Sequence, residues 1–160
     1  MEPFPATSLA LTEPNGLLAV GGDLSPERLI AAYRQGIFPW YSEGDPVLWW
    51  TPNPRAVLFP QAFHLSRSMR RVMAKQSFTL HVNRAFESVI RACAAPRAKE
   101  AGTWISPDMM AAYTQLHQMS YAHSLEVYHQ EQLIGGLYGV AMGRIFFGES
   151  MFSLAPNASK

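Results

Sequence analysis

An α+β fold is what this sequence predicts, and three observations carry the prediction. Segments with helical periodicity and capping residues fill the middle of the chain. Residues 124–129 alternate as a strand does, and short turns joining them to 133–142 and 145–147 make an antiparallel meander. The chain has 160 residues, 48% hydrophobic and 16% charged, a globular composition slightly poor in charge. At that length roughly 70% of the unfolded surface can be buried, so one domain, or two small ones sharing an interface, is expected.

Up to about Pro60 the sequence is dense in Pro, Gly and Trp, as in Gly21-Gly22-Asp23, Phe38-Pro39-Trp40 and Trp49-Trp50-Thr51-Pro52-Asn53-Pro54. Such punctuation makes short elements joined by rigid turns and held by large aromatics. One helix stands out there: Ser25 suits the N-cap, Pro26 the first helical position and Gly36 the residue past the end. A second helix, about Ser66 to Lys75, sets Leu65, Met69, Val72 and Met73 on one face and Arg67, Arg70, Arg71 and Lys75 on the other. No acid lies between Gln61 and Arg84, so those cations have no salt-bridge partner within the helix. They form either a solvated face or a phosphate-contacting one.

A third helix is expected from Asn83 to about Ala94, with Phe86, Val89, Ile90 and Cys93 inward, followed by an exposed loop over residues 95–102. Ser106 then caps a fourth, with Pro107 at its first position and Asp108 favourable in its first turn. Ser124 to His129 alternates as a half-buried strand, Gln130-Glu131-Gln132 turns, and Leu133 to Met142 and Ile145 to Phe147 complete the meander. No repeat, low-complexity tract or flexible linker interrupts this order.

Several function classes are disfavoured. Net charge is only +1, so a nucleic-acid partner needs locally clustered cations. Cys93 is the only cysteine, which rules out an internal disulfide, fits a reducing, cytoplasmic setting and reads as a small buried hydrophobe. The longest apolar run, Leu133 to Gly143, is too short to cross a bilayer, so no membrane partner is expected. His117, His123 and His129 stand six apart without Cys partners, so no metal site is expected. Gly148-Glu149-Ser150-Met151-Phe152 lacks the closing Gly of a nucleophile elbow, and no Gly-rich loop ends in Lys-Ser or Lys-Thr. Gly139 to Gly143 leads into a strand, which counts against a CoA pyrophosphate loop.

What remains is an aromatic-rich surface, a cationic helix and one carboxylate, Glu149, among aromatic, Met and Gly residues. A carboxylate in an apolar strand region is costly to bury without a cation or hydrogen-bond donors, so Glu149 reads as part of a site. Aromatic faces with clustered cations suit single-stranded RNA ends, because bases stack on rings while phosphates meet Arg. The alternative is that Trp40, Trp49, Trp50 and Trp104 are simply core.

Five blocks decide between these. Leu17 to Ser25, Gly36-Ile37-Phe38-Pro39-Trp40, Leu48 to Arg55, Gly102-Thr103-Trp104-Ile105 and Gly148 to Ser153 occur in this order. Together they closely resemble the bacterial leucyl/phenylalanyl-tRNA–protein transferase family, from about Glu13 to Lys160. The resemblance implies a small N-terminal α/β domain, residues 1–60, and an acetyltransferase-like (GNAT) domain beginning at 61–160. It also implies a reaction: transfer of Leu or Phe, less readily Met, from Leu-tRNA or Phe-tRNA to a protein beginning with Lys or Arg. That marks the acceptor for N-end rule degradation. A monomer without cofactor is expected, since the aminoacyl ester is already activated.

By the same resemblance Trp40 and Trp104 form an aromatic platform near the terminal adenosine, with Tyr33 and Tyr113 nearby. Leu137, Phe146 and Met151 line the apolar pocket for Leu and Phe. Glu149 is the site carboxylate that orients an amine, and the face bearing Arg67, Arg70, Arg71 and Lys75 follows the tRNA acceptor stem. Family members continue past the position of Lys160, which implies a truncated chain, unstable or feebly active alone. Two other readings stay open: a non-catalytic, truncated binder of tRNA ends, and a related acyl or aminoacyl transferase acting on small molecules or cell-wall peptides.

Overall fold

Local sequence places most of the helices. In this computed structural model, which describes residues 2–75, 78–95 and 103–159, α1 spans Pro26–Tyr33 and ends before Gly36, whose φ of +74° suits glycine. Ser25 stands at the N-cap, and its own N–H is held by the Asp23 carboxylate at 2.9 Å. Hydrogen bonding by the Ser25 side chain, and then by this backbone N–H, holds the Asp23 carboxyl below its ordinary range. α2 spans Arg67–Ala74, with the Ser66 hydroxyl accepting from the Met69 N–H. α4 spans Pro107–Gln118, and Ser106 caps it through the Met109 N–H at 3.2 Å.

The third helix begins later than expected. α3 spans Phe86–Ala94, because residues 79–82 are spent on a strand and Asn83 turns the chain with φ +58°. Its N-terminus is capped from outside the segment: the Glu126 carboxylate accepts the N–H groups of Arg84 at 3.3 Å and Ala85 at 3.2 Å. Of the loop expected over residues 95–102, all but Ala95 lies outside the described residues.

The chain divides by packing into two units, Met1–Arg55 with Ala94–Leu116, and Ala56–Cys93 with His117–Lys160. In the first, β1 (Leu17–Val20), β2 (Phe38–Pro39) and β3 (Leu48–Trp50) form an antiparallel sheet in the order β1-β3-β2. Periodicity alone does not reveal strands this short. Trp49 is fully buried and donates from Nε1 to the Gly21 carbonyl, while Trp50 donates to the Trp40 carbonyl at 2.6 Å. Gly16 lies so close to Pro52 that any Cβ there would come within 2.5 Å of it.

In the second unit, β4 (Thr79–Val82), β5 (Ala122–His129), β6 (Gln132–Met142) and β7 (Ile145–Ser153) form an antiparallel sheet in that order. Gln130 and Glu131 turn from β5 to β6 with positive φ, the backbone twist a two-residue hairpin needs. α3 covers one face: Val89 reaches Gly136 of β6, and Phe86 meets Tyr138 edge-on at 5.9 Å. His117 stacks on Phe86 at 4.2 Å and bonds the Ala122 carbonyl. Cys93 is buried in the same layer. Among the described residues no helix is long and apolar enough to cross a membrane.

Candidate functional site

Within the first unit, Trp40 follows β2 and keeps 51% of its surface exposed. Its ring meets half-buried Trp50 edge-on at 5.8 Å, so the two indoles brace each other while one Trp40 face stays open. Trp104 is half-buried in the segment before α4. Tyr33, the last residue of α1, and Tyr113 of α4 stand together: both are buried and their hydroxyls hydrogen-bond at 2.5 Å. They sit in the interior of this unit, whereas Trp40 stands at its surface.

A recess of about 400 Å³ opens in the same unit between Gly21-Gly22, Tyr41, residues 43–47 and the start of α4. None of Tyr33, Trp40, Trp104 or Tyr113 lines it. Tyr41 at its wall has a phenol raised above the ordinary value by burial, opposed by a hydrogen bond with Ser106 and assisted by the nearby Asp108 charge. Among the described residues no group of His, Cys, Asp and Glu could hold a metal ion.

The second unit gathers the other expected residues on β6 and β7. Leu137 stands opposite Met151, and Phe146 opposite Ala141, so all three point to the face of the sheet away from α3. Gly139 lies between them. A Cβ there would approach the Phe146 ring to 2.6 Å and the Phe147 carbonyl to 2.2 Å, so only glycine lets that ring settle over the strand.

Glu149 occupies a β-bulge. Pairing passes from Tyr138 with Ser150 to Gly139 with Gly148, leaving Glu149 as the extra residue on β7. Its side chain is half-buried, and its charge lies close enough to Tyr138 to act on that phenol. Beside it Tyr138 is fully buried, and its phenol is raised far above the ordinary value, first by burial and then by the charges of Glu149 and Cys93. At neutral pH Tyr138 therefore offers only a protonated hydroxyl.

The fully buried carboxylate is Glu126, which sequence reasoning passed over. Ser124 donates its hydroxyl to it at 2.6 Å, in addition to the two α3 N–H groups. Its signal was the pair Ser124 and Glu126 on one side of an alternating strand, a pattern that does not say which side a helix will cover. On α2, Arg67, Arg70, Arg71 and Lys75 are all exposed, and the helix has no buried residue at all.

The profile of the leucyl/phenylalanyl-tRNA protein transferase family matches residues 57–160, and that of the family's N-terminal domain matches residues 22–53. A relative from Cellvibrio japonicus is 60% identical over 98% of this chain and 67% of its own length. One from Nitrosomonas eutropha is 60% identical over 99% and 68%, and one from Pseudomonas fluorescens 62% identical over 98% and 70%. Each bears the name leucyl/phenylalanyl-tRNA–protein transferase. Two profiles in register and identity near 60% along nearly the whole sequence lead to one assignment: the chain belongs to the leucyl/phenylalanyl-tRNA–protein transferase family, a family of aminoacyltransferases.

Proposed function

We propose that this chain moves Leu or Phe, and less readily Met, from aminoacyl-tRNA to the N-terminal Lys or Arg of acceptor proteins, marking them for N-end rule degradation in the cytoplasm. The observation that supports the reading is the β6–β7 surface, where Leu137, Phe146 and Met151 share one face and Glu149 stands in a bulge of β7. An apolar surface beside one carboxylate suits an aminoacyl ester with a hydrocarbon side chain and an attacking amine.

The reaction is aminolysis. The lone pair of a neutral α-amine forms a bond to the ester carbonyl carbon, the bond from that carbon to the ribose oxygen breaks, and a proton from the amine ends on the ribose hydroxyl. A free α-amine has a pKa of about 7.7–8.0, so a useful fraction is neutral near pH 7.5. Glu149 accepts an N–H of that amine and fixes its approach, a charge-assisted hydrogen bond. Trp40 stacks on the terminal adenine with Trp104 nearby, and Arg67, Arg70, Arg71 and Lys75 contact acceptor-stem phosphates. Positioning can supply much of the barrier reduction, since the ester arrives already activated.

The test mixes the 160-residue chain with radiolabelled Leu-tRNA and peptides beginning with Arg or Val. Label is expected in the Arg peptide alone, and Glu149→Gln is expected to lower the rate while sparing tRNA binding. Folded protein that binds Leu-tRNA without transferring label would instead favour a non-catalytic binder of tRNA ends.

A further inference from the structure

The outer side of the β1-β3-β2 sheet carries a row of rings that ends in a guanidinium. Phe38 stands opposite Trp50 in the β2–β3 register, and Pro39 opposite Trp49. The Trp40 N–H donates to the Leu48 carbonyl at 2.9 Å, so the strand pattern continues through it. Side chains alternate along such a pair, and Phe38, Trp40 and Trp50 therefore share one side. Burial agrees: Pro39 and Trp49 are buried, Phe38 and Trp50 half-buried, and Trp40 exposed. At the far end of the row Arg55 lays its guanidinium over the Phe38 ring, 4.8 Å from the centroid. Its Nη1 donates to the Gly36 carbonyl at 2.9 Å, yet the residue itself stays at the surface.

Stability alone gives little reason for this arrangement. A stacked guanidinium at an exposed site contributes weakly, and a flexible Lys would serve solubility as well. What the ring and the carbonyl do together is fix a planar cation in position. That is useful where a phosphate must be met at a set distance, because a guanidinium bonds phosphate oxygens in a defined geometry. No Asp or Glu lies between Asp45 and Glu87, so this stretch of sequence supplies no carboxylate to the cation. Phe38 and Trp40 stand one two-residue step apart, about 6.8 Å. A base resting on Trp40 thus has the cation within about one nucleotide of it.

We infer that Arg55 binds the phosphodiester on the 5′ side of the terminal adenosine, and that Phe38 is the positioning residue that holds its guanidinium. The inference rests on the proposed reading of Trp40 as the adenine platform. It extends that contact from one nucleoside to the single strand leading into it, separately from the acceptor-stem phosphates assigned to α2.

The experiment titrates the 160-residue chain with a non-hydrolysable leucyl-adenosine amide, and with the same amide carrying two cytidylates on its 5′ side. The longer probe should bind at least about tenfold more tightly. That gain should fall with salt at a log–log slope of about 0.7, as for one phosphate of a single strand. Arg55→Gln should erase most of the gain and its salt slope, leaving the short probe within about twofold. Arg55→Lys should keep the slope and recover only part of the gain, since it keeps the charge and loses the stack. Phe38→Leu, which still fills the space over the sheet, should do the same. Equal losses on both probes would make Arg55 a brace of the Gly36 turn and overturn the inference. A longer probe that the unaltered chain binds no better than the short one would overturn it too. Transfer of label from Leu-tRNA by that same chain would then leave the transferase reading standing, whereas binding of neither probe would overturn both.

Discussion

Glu126 shows how much one side chain can settle. It is a fully buried carboxylate with three donors, the N–H groups of Arg84 and Ala85 and the hydroxyl of Ser124, and it joins β5 to the start of α3. Glu126→Ala would leave those donors without their acceptor and uncap the helix, at a cost of about 2–4 kcal/mol. The urea midpoint should fall with an unchanged slope, and Glu126→Gln, which keeps one acceptor, should lose less. A change in Glu126→Ala below about 0.5 kcal/mol would remove the capping role.

Tyr138 makes a prediction of different character. Its phenol is raised in the folded state by burial and neighbouring charge, whereas the unfolded chain releases the proton near pH 10. The resulting stability is fully present below pH 10 and is lost as pH rises through and beyond that value, because only the unfolded state then gains by ionising. Melting temperature followed from pH 8 to 11.5 should fall at the alkaline end, and Tyr138→Phe should flatten that limb. In the proposed reaction Trp40 stacks on the terminal adenine. Trp50 holds its backbone carbonyl, so Trp40→Ala removes an exposed ring without undoing the turn. Binding of an aminoacyl-adenosine mimic should weaken by about 1–3 kcal/mol, the worth of one stacked base. Unaltered affinity would take Trp40 out of the platform.

Among the elements, α2 and β7 were legible to different degrees. The cationic helix could be read from spacing alone, because four cations and four apolar residues at helical intervals separate onto two faces in any helix. Its bareness could not: Met73 is 56% exposed and no α2 residue is buried. With Arg70→Ala and Arg71→Ala combined, full-length tRNA should bind more weakly and with a salt slope shallower by between one and two, while the small mimic is spared. Equal losses on both ligands would indicate damage to the fold instead. The bulge at Glu149 had no sequence signal of its own, since an extra residue shows only when two strands are laid side by side. Strands as short as β2 and β3 also escaped, being too brief to display a period.

For the molecule as a whole, burial predicts a gradient of local stability. The centre of the β4–β7 sheet carries fully buried Tyr138, Val140 and Glu126, whereas α2 is held by its cap and by half-buried Met69 and Val72. Native-state hydrogen exchange should therefore find β5 and β6 amides protected by orders of magnitude more than those of α2. Comparable protection in both would mean that α2 is packed far better than its exposure indicates.

Residue order alone was enough to locate the capped helices, the hairpins of the meander and the family. These depend on local dihedral preferences, on a two-residue period and on motifs contiguous in the chain. The folded chain was needed to show that α3 covers the Ser124–Glu126 side of the sheet, that Glu126 is the fully buried carboxylate among the described residues, and that Glu149 stands in a bulge, which also brings Met151 onto the face of Phe146 and Leu137. Alternation marks two faces of a strand without saying which one a helix will cover, because that choice rests on contacts between residues far apart in sequence.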